Sequence, residues 1–183
     1  MDGLMTSVKI PNGEEHYLKA LKLEREGQTA QALFQFQMAR EERNLLASLR
    51  LARIYERGEL NVPIEHMVAA VYFKEAAKAA DGESVLRQLY KSHPEDAAVF
   101  ICIMAQACLI ASESGRFSAH ASSAWMWYQV VVSLGRTNLL DDADIFERLK
   151  TLLSESQLDE AEERARQFFG IAFSKTISIL PAH

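Results

Sequence analysis

Ala69-Ala70-Val71-Tyr72-Phe73-Lys74-Glu75-Ala76 is the stretch that decides the fold, because its skeleton recurs along the chain. The skeleton is a small residue, two spacers, a bulky pair, two more spacers and a closing apolar residue. It reads Ala32-x2-Gln35-Phe36-x2-Ala39 upstream, and Ala124-x2-Trp127-Tyr128-x2-Val131 downstream. A decayed copy follows as Ala161-x2-Arg164-Ala165-x2-Phe168. The first residues of the blocks stand 37, 55 and 37 positions apart. A period in this range is the signature of stacked helical hairpins, each too small to bury both its faces alone. Small residues seven apart put two close-contact points on one helix face, and the aromatic residues between them fill the wider gaps that dense packing must close.

Punctuation outside the echo fits the same plan. Residues 1–13 form a leader ending at Pro11-Asn12-Gly13. Helical spacing of Tyr17, Leu18, Leu21 and Leu23 predicts a first helix stopped by Gly27. Further helices are predicted over about 29–42, 45–57, closed by Gly58, and 66–80. The 55-residue interval exceeds the period by 18 residues, and Ser84–Tyr90 within it is apolar at helical spacing. That predicts an inserted short helix near 83–92. His93-Pro94-Glu95-Asp96 is a helix start, with proline at the first helical position and acids at the positive end of the dipole. Helices over about 94–114, 118–133 and 141–153 follow. Ser154-x-x-Gln157 makes a capping box for a last helix ending near Phe173. The expected hairpins are therefore about 14–43, 45–82, 94–134 and 141–173, within one helical domain over 14–173, with a tail over 174–183. Ile177, Ile179 and Leu180 in that tail suggest a segment that docks back into its own groove or a neighbour's, the alternative being a frayed terminus.

Composition narrows the function classes. The 183 residues are 49% hydrophobic and 25% charged, with only 8 Gly and 4 Pro, which suits long helices and a packed core. A net charge of −5 gives no overall basic field to hold nucleic acid. Ala97–Ala111 is the most apolar run, shorter than the roughly 20 residues of a spanning helix, so it is expected to be a buried core helix and not a membrane insertion. Met1–Asn12 carries Asp2 and has no apolar core of signal-peptide length. Cys102 and Cys108, six apart on one predicted helix, lie about 9 Å apart along its axis and cannot bond to each other. They read as buried thiols of a reducing compartment, and the expected location is the cytoplasm.

Leu51-Ala52-x2-Tyr55-x2-Gly58, followed by Val62-Pro63-Ile64-Glu65-x3-Ala69-x2-Tyr72-Phe73-Lys74-x-Ala76-Ala77-x4-Gly82, resembles the Sel-like repeat. This is the variant of the tetratricopeptide repeat with a longer loop between its helices. Ala124-x2-Trp127-Tyr128 is similar to its second-helix signature. The resemblance implies an all-α fold, a right-handed superhelix of about four helical hairpins with a concave groove. It implies an adaptor or scaffold, since family members act in signalling, protein quality control and bacterial envelope or virulence systems. The first helix of each pair lines the groove in such folds. By register this puts Lys22, Leu49, Arg53, Glu56 and Gln106 toward a protein or peptide partner. Arg53 is the leading candidate, since a guanidinium can grip a carboxylate or carbonyl at two points.

Trp125 stands outside the echo and is a further candidate anchor, because neighbouring helical residues point about 100° apart and Trp125 and Trp127 cannot share one face. The alternative is that it packs in the core. His16, His66, His93, His120 and His183 fall in no metal-binding spacing, and no catalytic motif or cofactor fingerprint is present. The expectation is a non-catalytic binding protein. A chaperone for a secreted or assembly-prone subunit and an enzyme built on a helical scaffold are the alternatives. A homodimer through the decayed last repeat is a further possibility, because an uncapped end leaves apolar surface in water.

Overall fold

The computed structural model describes residues 13–113, 118–136 and 145–169. The leader up to residue 12, the ends of the last predicted pair and the tail over 174–183 lie outside these residues. The described residues form helices joined by short turns, with no strand among them. In chain order the α-helices are α1 (Glu14–Arg25), α2 (Thr29–Glu41), α3 (Leu45–Arg57), α4 (His66–Ala77), α5 (Gly82–Ser92), α6 (Pro94–Glu113), α7 (Ser118–Ser133), α8 (Ile145–Leu152) and α9 (Glu155–Phe169). A 3-10 turn, Glu59–Asn61, follows α3.

Local chemistry explains the ends. Gly27 and Gly58 follow α1 and α3 with φ of 74° and 69°, the left-handed conformation that glycine adopts without a Cβ clash. Asn44 caps α3, its Oδ1 accepting from the Ala47 amide at 3.0 Å. Pro94 opens α6 with Glu95 and Asp96 in its first turn. The capping box forms before α9. Ser154 N donates to Gln157 Oε1 at 3.0 Å, and Gln157 N donates to Ser154 Oγ at 3.4 Å. Helix α4 stops at Ala77, one turn short of the expected end.

The echo positions are mostly buried. Ala32, Gln35, Phe36 and Ala39 are buried on α2; Ala69, Phe73 and Ala76 on α4; Ala124, Trp127, Tyr128 and Val131 on α7; Ala161, Ala165 and Phe168 on α9. Tyr72 and Arg164, at bulky positions of the skeleton, are half-buried.

The chain divides after Ala76 into two compact units. The first holds α1 to α4. Here α2 packs most closely on α1 and α3, with Tyr17 against Phe36 at 6.0 Å between centroids. Arg50 on α3 ties α1 and the 3-10 turn together through ion pairs to Glu24 and Glu59. Helix α4 is pinned by side chains. Arg40 of α2 donates from Nε to Glu75 Oε2 at 2.7 Å and lies 4.8 Å over the Tyr72 ring. Tyr72 also meets Tyr55 of α3 at 5.7 Å.

Gly13 sets how α1 enters this unit. Its φ is 71°, and a Cβ there would lie 2.5 Å from the Ala39 carbonyl oxygen, which already accepts from the Asn44 amide. We therefore expect Gly13→Ala to cost about 2–4 kcal/mol, the sum of left-handed strain and a backbone clash. Gly27, at φ 74° with nothing within 4 Å, should lose only about 1–2 kcal/mol on the same change. Urea titrations of both variants check this, and equal losses would remove the steric part of the argument.

In the second unit α7 is the hub, packed on α6 and α9 with α8 alongside. Its aromatic residues serve different neighbours. Trp125 and Tyr128 meet Phe146 of α8 at 5.4 and 5.9 Å, whereas Trp127 meets Phe168 of α9 at 5.2 Å, edge to face. Helix α9 packs on α7 more closely than on its sequence neighbour α8. The inserted helix α5 belongs to this core. It packs on α6 with Leu86 fully buried, and it reaches α9 through the Glu83–Arg164 ion pair and Arg87, whose guanidinium carbon lies 5.3 Å from the Phe168 ring centroid. Helix α6 is long and apolar enough, by length and composition, to cross a membrane, and 61% of its most apolar window is buried within the fold.

Candidate interaction surface

The residues expected at a partner surface divide by depth. Lys22 is exposed on α1, with Nζ 3.9 Å from Glu26 Oε1 one turn along. Arg53 is almost covered and donates from Nη1 to Glu56 Oε2 at 2.7 Å, Glu56 itself being half-buried. Gln106 is half-buried on α6, in the second unit.

Leu49 corrects the expectation, and Trp125 follows its packing alternative. Leu49 is wholly buried and is part of the core of the first unit. It shares a face with Arg53, one turn away, and that face of α3 is covered instead of facing solvent. Trp125 is 4% exposed. Its ring is spent on Phe146, and its Nε1–H has no acceptor among the described residues. Neither side chain is available to a partner.

The surface carries a different set. Leu18, Phe34, Ile64, Met67 and Val71 of the first unit are large, apolar and exposed, as are Val99 and Leu152 of the second. Two of them, Met67 at 84% and Val71 at 53%, sit one turn apart on α4. At 100° per residue they lie roughly opposite the buried Ala69 and Ala76. Their signal was in the sequence as apolar residues off the echo register. Helix α4 is apolar on both sides, although only one side is needed to pack the unit. In the last predicted pair Leu152 is the large apolar side chain left exposed among the described residues.

Among the described residues no three His, Cys, Asp or Glu side chains are grouped to hold a metal ion. Cys102 and Cys108 are buried and form no disulfide. Burial pushes the Cys108 thiol up to about 12, partly offset by the nearby Arg164 guanidinium and reinforced by Glu83. His16 joins two helices, its Nδ1 2.8 Å from Gln35 Oε1 and its Nε2 3.5 Å from Glu42 Oε1. In comparison with known proteins, the chain matches no family model, no curated protein and no solved structure at a significant level.

Proposed function

We propose that this chain is a non-catalytic adaptor of the Sel-like repeat type, acting in the cytoplasm and binding a helix or peptide of a partner protein. In this reading its hairpins follow one another in right-handed superhelical order. The burial of the echo positions on α2, α4, α7 and α9 supports the repeat reading. The observation that carries the function is the exposed apolar set of the first unit, with Leu18 and Phe34 on its first hairpin. Large apolar side chains held in water on a folded unit are the currency of protein recognition. Lys22 lies one turn from Leu18 and supplies a charge beside it.

Site-specific photocrosslinking in native cells tests the proposal. A photoreactive aromatic residue at Phe34 or Leu18 should give a discrete product with another protein, and the same probe at exposed Glu155 on α9 should not. Phe34→Asp and Leu18→Asp should each abolish co-purification of that protein at unchanged helicity. Products equal at all three positions, or containing only this chain, would count against the adaptor reading.

A further inference from the structure

The seam between α5 and α9 carries one guanidinium more than it has carboxylates. Glu83 and Arg87 stand one turn apart on α5, and Arg164 and Phe168 one turn apart on α9. Two rungs join the helices. Glu83 pairs with Arg164, and Arg87 lies over the Phe168 ring, 5.3 Å from its centroid. The first rung closes a charge and the second leaves one open. Arg87 forms no ion pair or hydrogen bond among the described residues, and its Nε is buried with no acceptor. A buried N–H without an acceptor is rare in folded proteins and needs a reason. The neighbouring charges do not supply one. Glu83 is spent on Arg164. Exposed Glu160 and Lys91 stand one turn beyond the rungs on α9 and α5, opposite in sign, and neither makes an ion pair among the described residues. Phe168 lies in the last turn of α9, whose dipole offers Arg87 only a partial negative charge.

The shape and charge of the seam select its ligand. A guanidinium stacked on an aromatic ring has its plane fixed in advance. With Nε covered, the terminal amino groups are the donors that half-buried Arg87 has left to present. Two parallel N–H donors match the two oxygens of a carboxylate, and Glu83 on Arg164 is a carboxylate already held at this seam. Arg87 and Arg164 against Glu83 leave a single positive charge, which one carboxylate neutralises and a dianion overshoots. We propose that Arg87 is the receptor for a carboxylate group that comes from outside the fold. A partner's Asp or Glu side chain and a free carboxylic acid share this chemistry, and the two arms of the test separate them. The site lies in the second unit and does not depend on the Leu18 and Phe34 surface.

Arginine side-chain NMR on the isotope-labelled full chain provides the test. The Arg87 Nε–H signal is identified by its loss in Arg87→Lys at unchanged circular dichroism. Acetate, or the tripeptide Gly-Glu-Gly blocked at both ends, replaces chloride at constant ionic strength. The Arg87 signal should move to saturation, with a dissociation constant of roughly 1–30 mM. The signal of Arg166, whose Nε is engaged by Glu163, should not saturate in that range. Tighter binding of the tripeptide assigns the carboxylate to a partner's side chain, and equal or tighter binding of acetate assigns it to a free acid. Glu83→Gln removes the like charge one turn away and should tighten acetate by roughly twofold or more. An Arg87 signal that neither probe moves overturns the proposal, as does an Arg166 signal that follows it. Sulfate bound as tightly as acetate, or a Glu83→Gln variant that binds no more tightly than the wild type, overturns it too, since charge balance was what selected a carboxylate.

Discussion

Trp127→Ala should lower the unfolding free energy by about 3–5 kcal/mol, the range for emptying a buried aromatic site. Trp127 is 3% exposed at the centre of α7. Its ring stands edge to face with Phe168, the arrangement that aromatic quadrupoles favour. Removing it takes away this aromatic contact between α9 and the hub helix, while Arg87 still lies against the Phe168 ring. Trp127→Phe should recover part of the loss, because a ring remains to face Phe168. Chemical denaturation followed by circular dichroism reads both variants. A Trp127→Ala loss under about 1 kcal/mol, the level of an ordinary surface change, would show that α7 and α9 are not held together through this pair.

The second large effect is alkaline. The Cys108 thiol is fully enclosed in the second unit, and burial raises it from 9.0 to about 12. The folded state therefore holds its proton over a range in which the unfolded chain has already released it. The stabilisation is complete below about pH 9 and is lost as pH rises from there toward 12. Three pH units correspond to on the order of 4 kcal/mol across that window. Other groups titrate in the same range, so the readout is the difference between wild type and Cys108→Ala. The alanine variant should start less stable at neutral pH, from the small void, and decline less steeply above pH 9. Parallel curves would mean that the thiol reaches water in the folded protein. Iodoacetamide should likewise label Cys108 at pH 8 only at the rate of unfolding, since the thiolate is the reactive form.

Much of the helical plan was legible because its signals are local. A glycine free to take positive φ, a proline at the first helical position and a Ser/Gln capping box act within a few residues, so Gly58, Pro94 and the Ser154/Gln157 pair marked their boundaries. The echo was legible for a related reason. A helix repeats its faces at 3.6 residues, so Ala32/Phe36/Ala39 and Ala124/Tyr128/Val131 declared one buried stripe each. The candidate site was less so. Leu49 and Arg53 were correctly placed on one face of α3, yet that face is covered. Arg53 is instead held within its own helix by Glu56.

What the sequence by itself determined, then, is that the described chain is helical, where most of its helices begin and end, and which side of α2, α4, α7 and α9 is buried. Periodicity is measured about a helix's own axis, and it carries that much. Only the tertiary structure decided which helix fills each stripe: that α9 packs on α7 more than on α8, that α5 joins a core instead of standing out as an insertion, and that the chain divides after Ala76. It also decided that Trp125 is consumed by Phe146 while Met67 and Val71 are left in water. An apolar side chain is equally content against any apolar neighbour, because the hydrophobic effect is non-directional. Its partner is set by how all the helices fill space together, and that is a property of no single stretch of sequence.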